Sequence, residues 1–96
     1  MRCAVMIRRR LSITGRVQGV FYRDWLIGQA RALGISGWVR NRPDGSVEAV
    51  VEGAPEMVEA IIARARQGSP ASRVADVVIG DAPDEPLSGF VRRPTA

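Results

Sequence analysis

The chemistry in this chain is concentrated in one run, Gly15-Arg16-Val17-Gln18-Gly19-Val20-Phe21-Tyr22-Arg23. Two glycines bracket Arg16, Val17 and Gln18, and an arginine closes the run. A short Gly-containing turn that enters a helix can aim several backbone N–H groups at one point. Such a nest, beside a helix N-terminus, binds an anion. Arg23 falls in the first turn of the helix that follows, where the helix dipole prefers negative groups. An arginine at that position is explained if it meets an anion from outside. The run therefore reads as a phosphate cradle. The plainer alternative is an ordinary strand–turn–helix joint with a surface arginine.

A second cluster follows at Gly37-Trp38-Val39-Arg40-Asn41, whose Asn41 lies eighteen positions after Arg23. Val39 and Asn41 have the same parity and so project from the same face of a strand. If Val39 faces helices, Asn41 reaches the sheet edge from that side. Asparagine is also common where a strand enters a hairpin, and on its own Asn41 needs no further role.

The elements around these residues decide whether they can meet. Leu11-Ser12-Ile13-Thr14 alternates apolar and polar, as a half-buried strand does. Arg8-Arg9-Arg10 before it reads as a solvated strand beginning, or as a positive field near the cradle. Tyr22–Leu33 forms a helix, because Tyr22, Trp25, Leu26, Ala30 and Leu33 fall on one face; Trp25 and Leu26 read as core. Gly34 suits the left-handed position past its end, with Ile35 packing back. Ser36–Arg42 is a second strand, Pro43-Asp44-Gly45 a three-residue hairpin loop, and Ser46–Glu52 a third strand. Val47, Ala49 and Val51 share one of its faces, Glu48 and Glu52 the other. Pro55 opens a second helix with Val58, Ile61, Ile62 and Ala65 as its stripe, ended by Gly68 and Pro70. Arg73–Ile79 is a fourth strand, Gly80–Ser88 a proline-rich loop, and Gly89–Arg92 a short last strand with Phe90 buried.

The order β-α-β-β-α-β plus a short terminal strand is the split βαβ, ferredoxin-like pattern of the α+β class. Both helices are expected on one face of a four-stranded antiparallel sheet with spatial order 4-1-3-2. Strand one is then central, which gives the cradle a rigid base. Strand two runs parallel to strand one, so Asn41 and Arg23 come to the same end of the sheet. One domain covers residues 1–96, with its core at about 8–92 and with 1–7 and 93–96 peripheral.

Composition narrows the function. The 96 residues contain no histidine and one cysteine, Cys3. Imidazole bases, His-ligated metals, Cys-based metal clusters and an intramolecular disulfide are excluded, and Cys3 reads as inert. A lone cysteine and the lack of a signal-peptide core or membrane-length apolar run suggest a soluble, cytoplasmic protein. The net charge is +4, and all fourteen basic residues are arginine, which suits bidentate phosphate contacts. Nucleic acid is not an expected partner. The five aromatics, Phe21, Tyr22, Trp25, Trp38 and Phe90, do not form the strand pattern of an RNA-binding sheet.

These two clusters resemble the two signatures of the acylphosphatase family. Gly15–Arg23 is similar to the first. Gly37-Trp38-Val39-Arg40-Asn41-Arg42-Pro43-Asp44-Gly45-Ser46-Val47, running on to Gly53, is similar to the second. Both match without gaps and at the family's separation, and the resemblance spans about Leu11 to Phe90. It implies the ferredoxin-like fold and metal-free, cofactor-free hydrolysis of acyl phosphates. It also implies that Arg23 binds the phosphate and that Asn41 positions the attacking water. Backbone N–H groups around Arg16, Val17, Gln18, Gly19, Val20 and Phe21 are expected to hold the non-bridging oxygens. The expected partners are a small acyl phosphate and inorganic phosphate, the latter as product and inhibitor, with the chain a monomer. Asp24 is read as a first-turn charge pointing away from the site. The Gly80–Ser88 loop departs most from the family pattern. A non-catalytic anion-binding module with the same cradle is the competing reading.

Overall fold

The computed structural model describes residues 5–95. The expectation that Cys3 is inert, and most of the expected N-terminal lead-in, lie outside the described residues. The elements are β1 (Ile7–Arg16), α1 (Tyr22–Ala32), β2 (Ser36–Asn41), β3 (Val47–Gly53), α2 (Pro55–Gln67), β4 (Arg73–Gly80) and β5 (Phe90–Arg92). They form one five-stranded sheet in the order β4-β1-β3-β2-β5, the expected 4-1-3-2 with the terminal strand added beside β2. All pairings are antiparallel except that of β5, which runs parallel to β2.

Strand parity sorts the side chains as expected. Leu11 and Ile13 of β1, Val39 of β2, and Val47, Ala49 and Val51 of β3 are fully buried in one cluster. They meet Tyr22, Leu26 and Ala30 of α1 and Val58, Ile61 and Ala65 of α2 there. Trp25 only packs against the edge of this core, where the sequence places it inside. Helix α1 stops one residue early, at Ala32. Gly34 (φ 69°) lets Ile35 N–H reach the Ala30 carbonyl at 2.9 Å and Gly34 N–H reach Arg31 at 3.2 Å. This paired closure satisfies carbonyls that the helix end would otherwise leave bare.

The first strand is longer than its alternation suggests. It begins at Ile7, opposite Gly53, and its three arginines are part of the ladder. Side-chain pairing explains this. Arg8 meets Glu52 at 2.7 Å, and Arg10 approaches Glu48 at 3.7 Å. These arginines occupy the end of β1 remote from the cradle, so they do not supply a field to it.

The sheet face away from the helices is also covered. The 81–88 segment crosses it: Arg8 Nη1 donates to the Pro83 carbonyl at 2.8 Å, and the Trp38 indole N–H donates to Glu85 at 2.7 Å. Trp38 is consequently buried, as is Val50. Arg93, which the sequence places in the peripheral 93–96 segment, belongs to this layer. Its N–H donates to the Val39 carbonyl at 2.9 Å, and its guanidinium lies 4.5 Å from the Trp38 ring centroid.

Candidate active site

The loop from Val17 to Phe21 leaves the central strand β1 with its direction fixed by Gly15. Strand register shifts between Thr14 and Gly15 against β4. Gly15 has φ 118°, and a Cβ there would lie 2.2 Å from the Arg73 carbonyl oxygen. Only glycine permits that approach. Two further left-handed residues turn the loop into α1: Gly19 at φ 73° and Phe21 at φ 60°. A bulky residue with positive φ is strained, and strain of this kind is retained where the backbone must point somewhere specific.

The consequence is a row of free donors. Val17 N–H is used inside the loop, donating to the Gly15 carbonyl at 3.1 Å, so it is not part of the nest as expected. From Gln18 through Asp24, no backbone N–H has an acceptor among the described residues, and no side chain caps α1. These groups carry the positive end of the helix dipole. The Arg23 guanidinium likewise makes no hydrogen bond or ion pair among the described residues.

A cavity of about 230 Å³ opens against this row, lined by Val17, Gly19, Phe21, Tyr22, Arg23, Asp24 and Arg92. Its floor is rigid. Val17 is buried in the core, and the Tyr22 hydroxyl donates to the Ala65 carbonyl at 2.9 Å. Burial pushes the Tyr22 phenol up, so it stays neutral and serves as an anchor between the helices. Phe21 is 82% exposed at the lip.

The other expected site residues divide. Val20 packs against the core and Arg16 is exposed at the end of β1; neither side chain lines the cavity. The Gln18 side chain turns away to the hairpin, where its Nε2 donates to the Arg42 carbonyl at 2.8 Å and to the Ser46 carbonyl at 2.7 Å. That amide ties the cradle loop to the residue immediately after Asn41. The hairpin itself is closed as expected, with Arg42 N–H on the Ser46 carbonyl at 2.9 Å. Asp44 Oδ1 takes both the Ser46 hydroxyl and N–H, which hold its carboxyl below the usual range.

Asn41 sits opposite Val47, which sits opposite Ile13, so the three are level across β2, β3 and β1. Opposed residues project to the same face. Asn41 therefore shares the helix face with buried Val47, at the end of the sheet from which the loop leaves. Its side-chain oxygen is buried and has no hydrogen-bond partner among the described residues. Asn41 is not among the lining residues of the cavity.

Two lining residues differ from the sequence reading. Asp24 does not point away, and Arg92 was given no role. They form an ion pair across the cavity, Arg92 Nη2 to Asp24 Oδ1. Parity held the signal: Phe90 and Arg92 share a face, and Phe90 was expected inside. The 80–88 segment, which could have lined the site, lies on the opposite sheet face instead. Among the described residues no three of His, Cys, Asp and Glu come together as metal ligands, and no helix is long and apolar enough to cross a membrane.

The family model described as Acylphosphatase matches residues 9–92. The chain belongs to the acylphosphatase family. The hydrolysis of acyl phosphates is this family's activity. An acylphosphatase of Rhizorhabdus wittichii is 53% identical, over 93% of this chain and 90% of its own length. One from Thermococcus kodakarensis is 54% identical, over 88% and 92%. Among solved structures, the acylphosphatase from Bacillus subtilis superposes with a TM-score of 0.85 at 31% identity, covering 93% of this chain and 99% of that one.

Proposed function

We propose that this chain hydrolyses acyl phosphates to a carboxylate and inorganic phosphate, with Arg23 and the 18–24 backbone binding the phosphoryl group and Asn41 orienting water. The observation that carries the reading is the pairing of two vacancies on adjoining elements. Among the described residues, the N–H row and the Arg23 guanidinium are donors without acceptors. The Asn41 side-chain oxygen is a buried acceptor without a donor among those residues.

The chemistry follows from these groups. Phosphoryl transfer depends on positioning and charge stabilisation more than on covalent help. Backbone N–H groups fixed before the reaction stabilise the phosphoryl oxygens without reorganising, and Arg23 adds a two-pronged, charge-assisted contact. An amide cannot act as a base. The Asn41 oxygen can accept one hydrogen of a water and hold its lone pair towards phosphorus. As the water oxygen bonds to phosphorus, the bond from phosphorus to the acyl oxygen breaks, and the carboxylate departs with that electron pair. The water's proton passes to a phosphate oxygen. A carboxylic acid has a pKa of about 4–5, so its anion leaves without protonation. A chain without histidine is therefore sufficient.

The mechanism needs no group from a second chain, in keeping with a monomeric enzyme. A single cysteine is consistent with a cytoplasmic setting. Inorganic phosphate, which resembles the bound half of the substrate, should inhibit competitively. The deciding experiment is hydrolysis of benzoyl phosphate in the presence of a metal chelator, comparing wild type with Arg23→Ala. Activity is expected in the wild type and its loss in the variant. An inactive wild type would sink the enzyme reading in favour of an anion-binding module, and dependence on added metal would sink the mechanism.

A further inference from the structure

The Arg92–Asp24 pair closes one side of the cavity and takes no part in the chemistry above. Its two side chains are 47% and 50% exposed. An ion pair in that setting contributes little, since water competes for both partners. It is not needed to hold β5 in place. Phe90 is buried in the core, and Arg31 of α1 donates from Nε and Nη2 to the Phe90 carbonyl at 3.2 and 3.0 Å. Asp24 and Arg31 lie two turns apart on α1, so the helix meets β5 twice, and only the Arg31 contact is to backbone.

A weak, exposed pair beside a phosphate-sized cradle can exchange partners. If Arg92 leaves Asp24, the carboxylate is rehydrated at little cost, and a planar, two-pronged cation faces the cavity next to Arg23. At about 230 Å³ the cavity is smaller than the usual range of ligand pockets, so a phosphoryl group and a short acyl chain fill it. A negative group at the far end of that chain comes within the reach of Arg92.

We propose that Arg92 is the specificity-determining residue for the acyl half of the substrate: it exchanges Asp24 for an anionic group carried by the acyl chain, so acyl phosphates with a distal carboxylate are preferred over uncharged ones. The inference rests on the acylphosphatase reading. It assigns Arg92 no contact with the reacting phosphorus.

The test uses two probes of equal length, fumaroyl monophosphate and crotonyl phosphate, in which a distal carboxylate replaces a methyl group. The trans double bond prevents that carboxylate from attacking its own anhydride. The readout is the ratio of kcat/KM for the charged over the uncharged probe. In Arg92→Gln the ratio is expected to fall about tenfold, the weight of one charge-assisted contact, mainly through KM for fumaroyl monophosphate. In Asp24→Asn, which removes the competing carboxylate, it is expected to rise about threefold. The double variant should lose that rise. A ratio unmoved by Arg92→Gln, with both probes affected equally, would mean a structural role and overturn the inference alone. A rise that persists in the double variant would overturn the exchange by showing that Asp24 acts through its field. No turnover of either probe by wild type would overturn this inference and the acylphosphatase reading together.

Discussion

Arg23 and Asn41 are asked to do different things, and single substitutions can separate them. In the proposed mechanism Arg23 supplies binding and transition-state charge at once. Arg23→Ala should therefore remove both turnover and inhibition by phosphate. Arg23→Lys should recover little of either, because an ammonium offers a point charge in place of a planar fork. Asn41 touches only the water in the proposed mechanism. Asn41→Ala should lower kcat about a hundredfold, the scale of a lost positioning contact, while phosphate still inhibits at nearly the wild-type concentration. Inhibition titrations on both variants check this division. Equal loss of phosphate affinity in the Asn41 variant would refute it. Gly19 is a subtler case. Nothing lies within 4 Å of a Cβ built on it, so a side chain there meets no steric barrier. Any damage from Gly19→Val would come through its φ of 73°, which a β-branched residue resists.

At the scale of elements, the cradle is a loop held at both ends and once in the middle. Gly15 fixes its departure. In Gly15→Ala the new methyl would overlap the Arg73 carbonyl at 2.2 Å, and destabilisation of about 2–3 kcal/mol is expected from the denaturant midpoint. Gln18 fixes the middle. Both carbonyls it reaches keep another donor, Gly45 N–H on Arg42 and Arg42 N–H on Ser46. Gln18→Leu should thus cost only about 1 kcal/mol of stability. It should lower kcat about tenfold or more, since loop and hairpin lose their mutual register. Comparable losses of stability and of active enzyme would instead mark Gln18 as structural. The element order and the sheet topology were legible in the sequence because helix and strand periodicities are local. The cradle and Asn41 were legible because topology brings their strands to one end. The Gln18 tie, the Asp24–Arg92 pair and the path of the 81–88 segment were not. Each depends on a long-range side-chain contact, and no local period reports one.

Across the whole molecule the sheet separates two environments. The helix face holds the core and ends at the cavity. The opposite face is polar and arginine-rich: Glu48, nearly buried, is met by Arg40 at 2.8 Å and more distantly by Arg10 and Arg42. The 81–88 segment is clasped to this face by Arg8 on the Pro83 carbonyl and by the Trp38 indole N–H on Glu85, with Arg93 on the other carboxylate oxygen at 3.2 Å. The indole contact first, and Arg93 second, hold the Glu85 carboxyl below the usual carboxylate range. A carboxyl whose pKa is lowered by folding stabilises the fold above its unfolded value of about 4.3. That contribution fades as the pH falls through the folded value. Acidification should therefore release the 81–88 segment from the sheet before the core opens. Trp38 then becomes wet while Trp25, on the helix side, keeps its surroundings. Tryptophan emission should shift to the red between about pH 4 and the acid unfolding transition, with far-ultraviolet dichroism still native. In Glu85→Gln, which cannot titrate, that early shift should vanish and leave a single transition. An early shift that survives the substitution would refute the role of Glu85 in holding the segment.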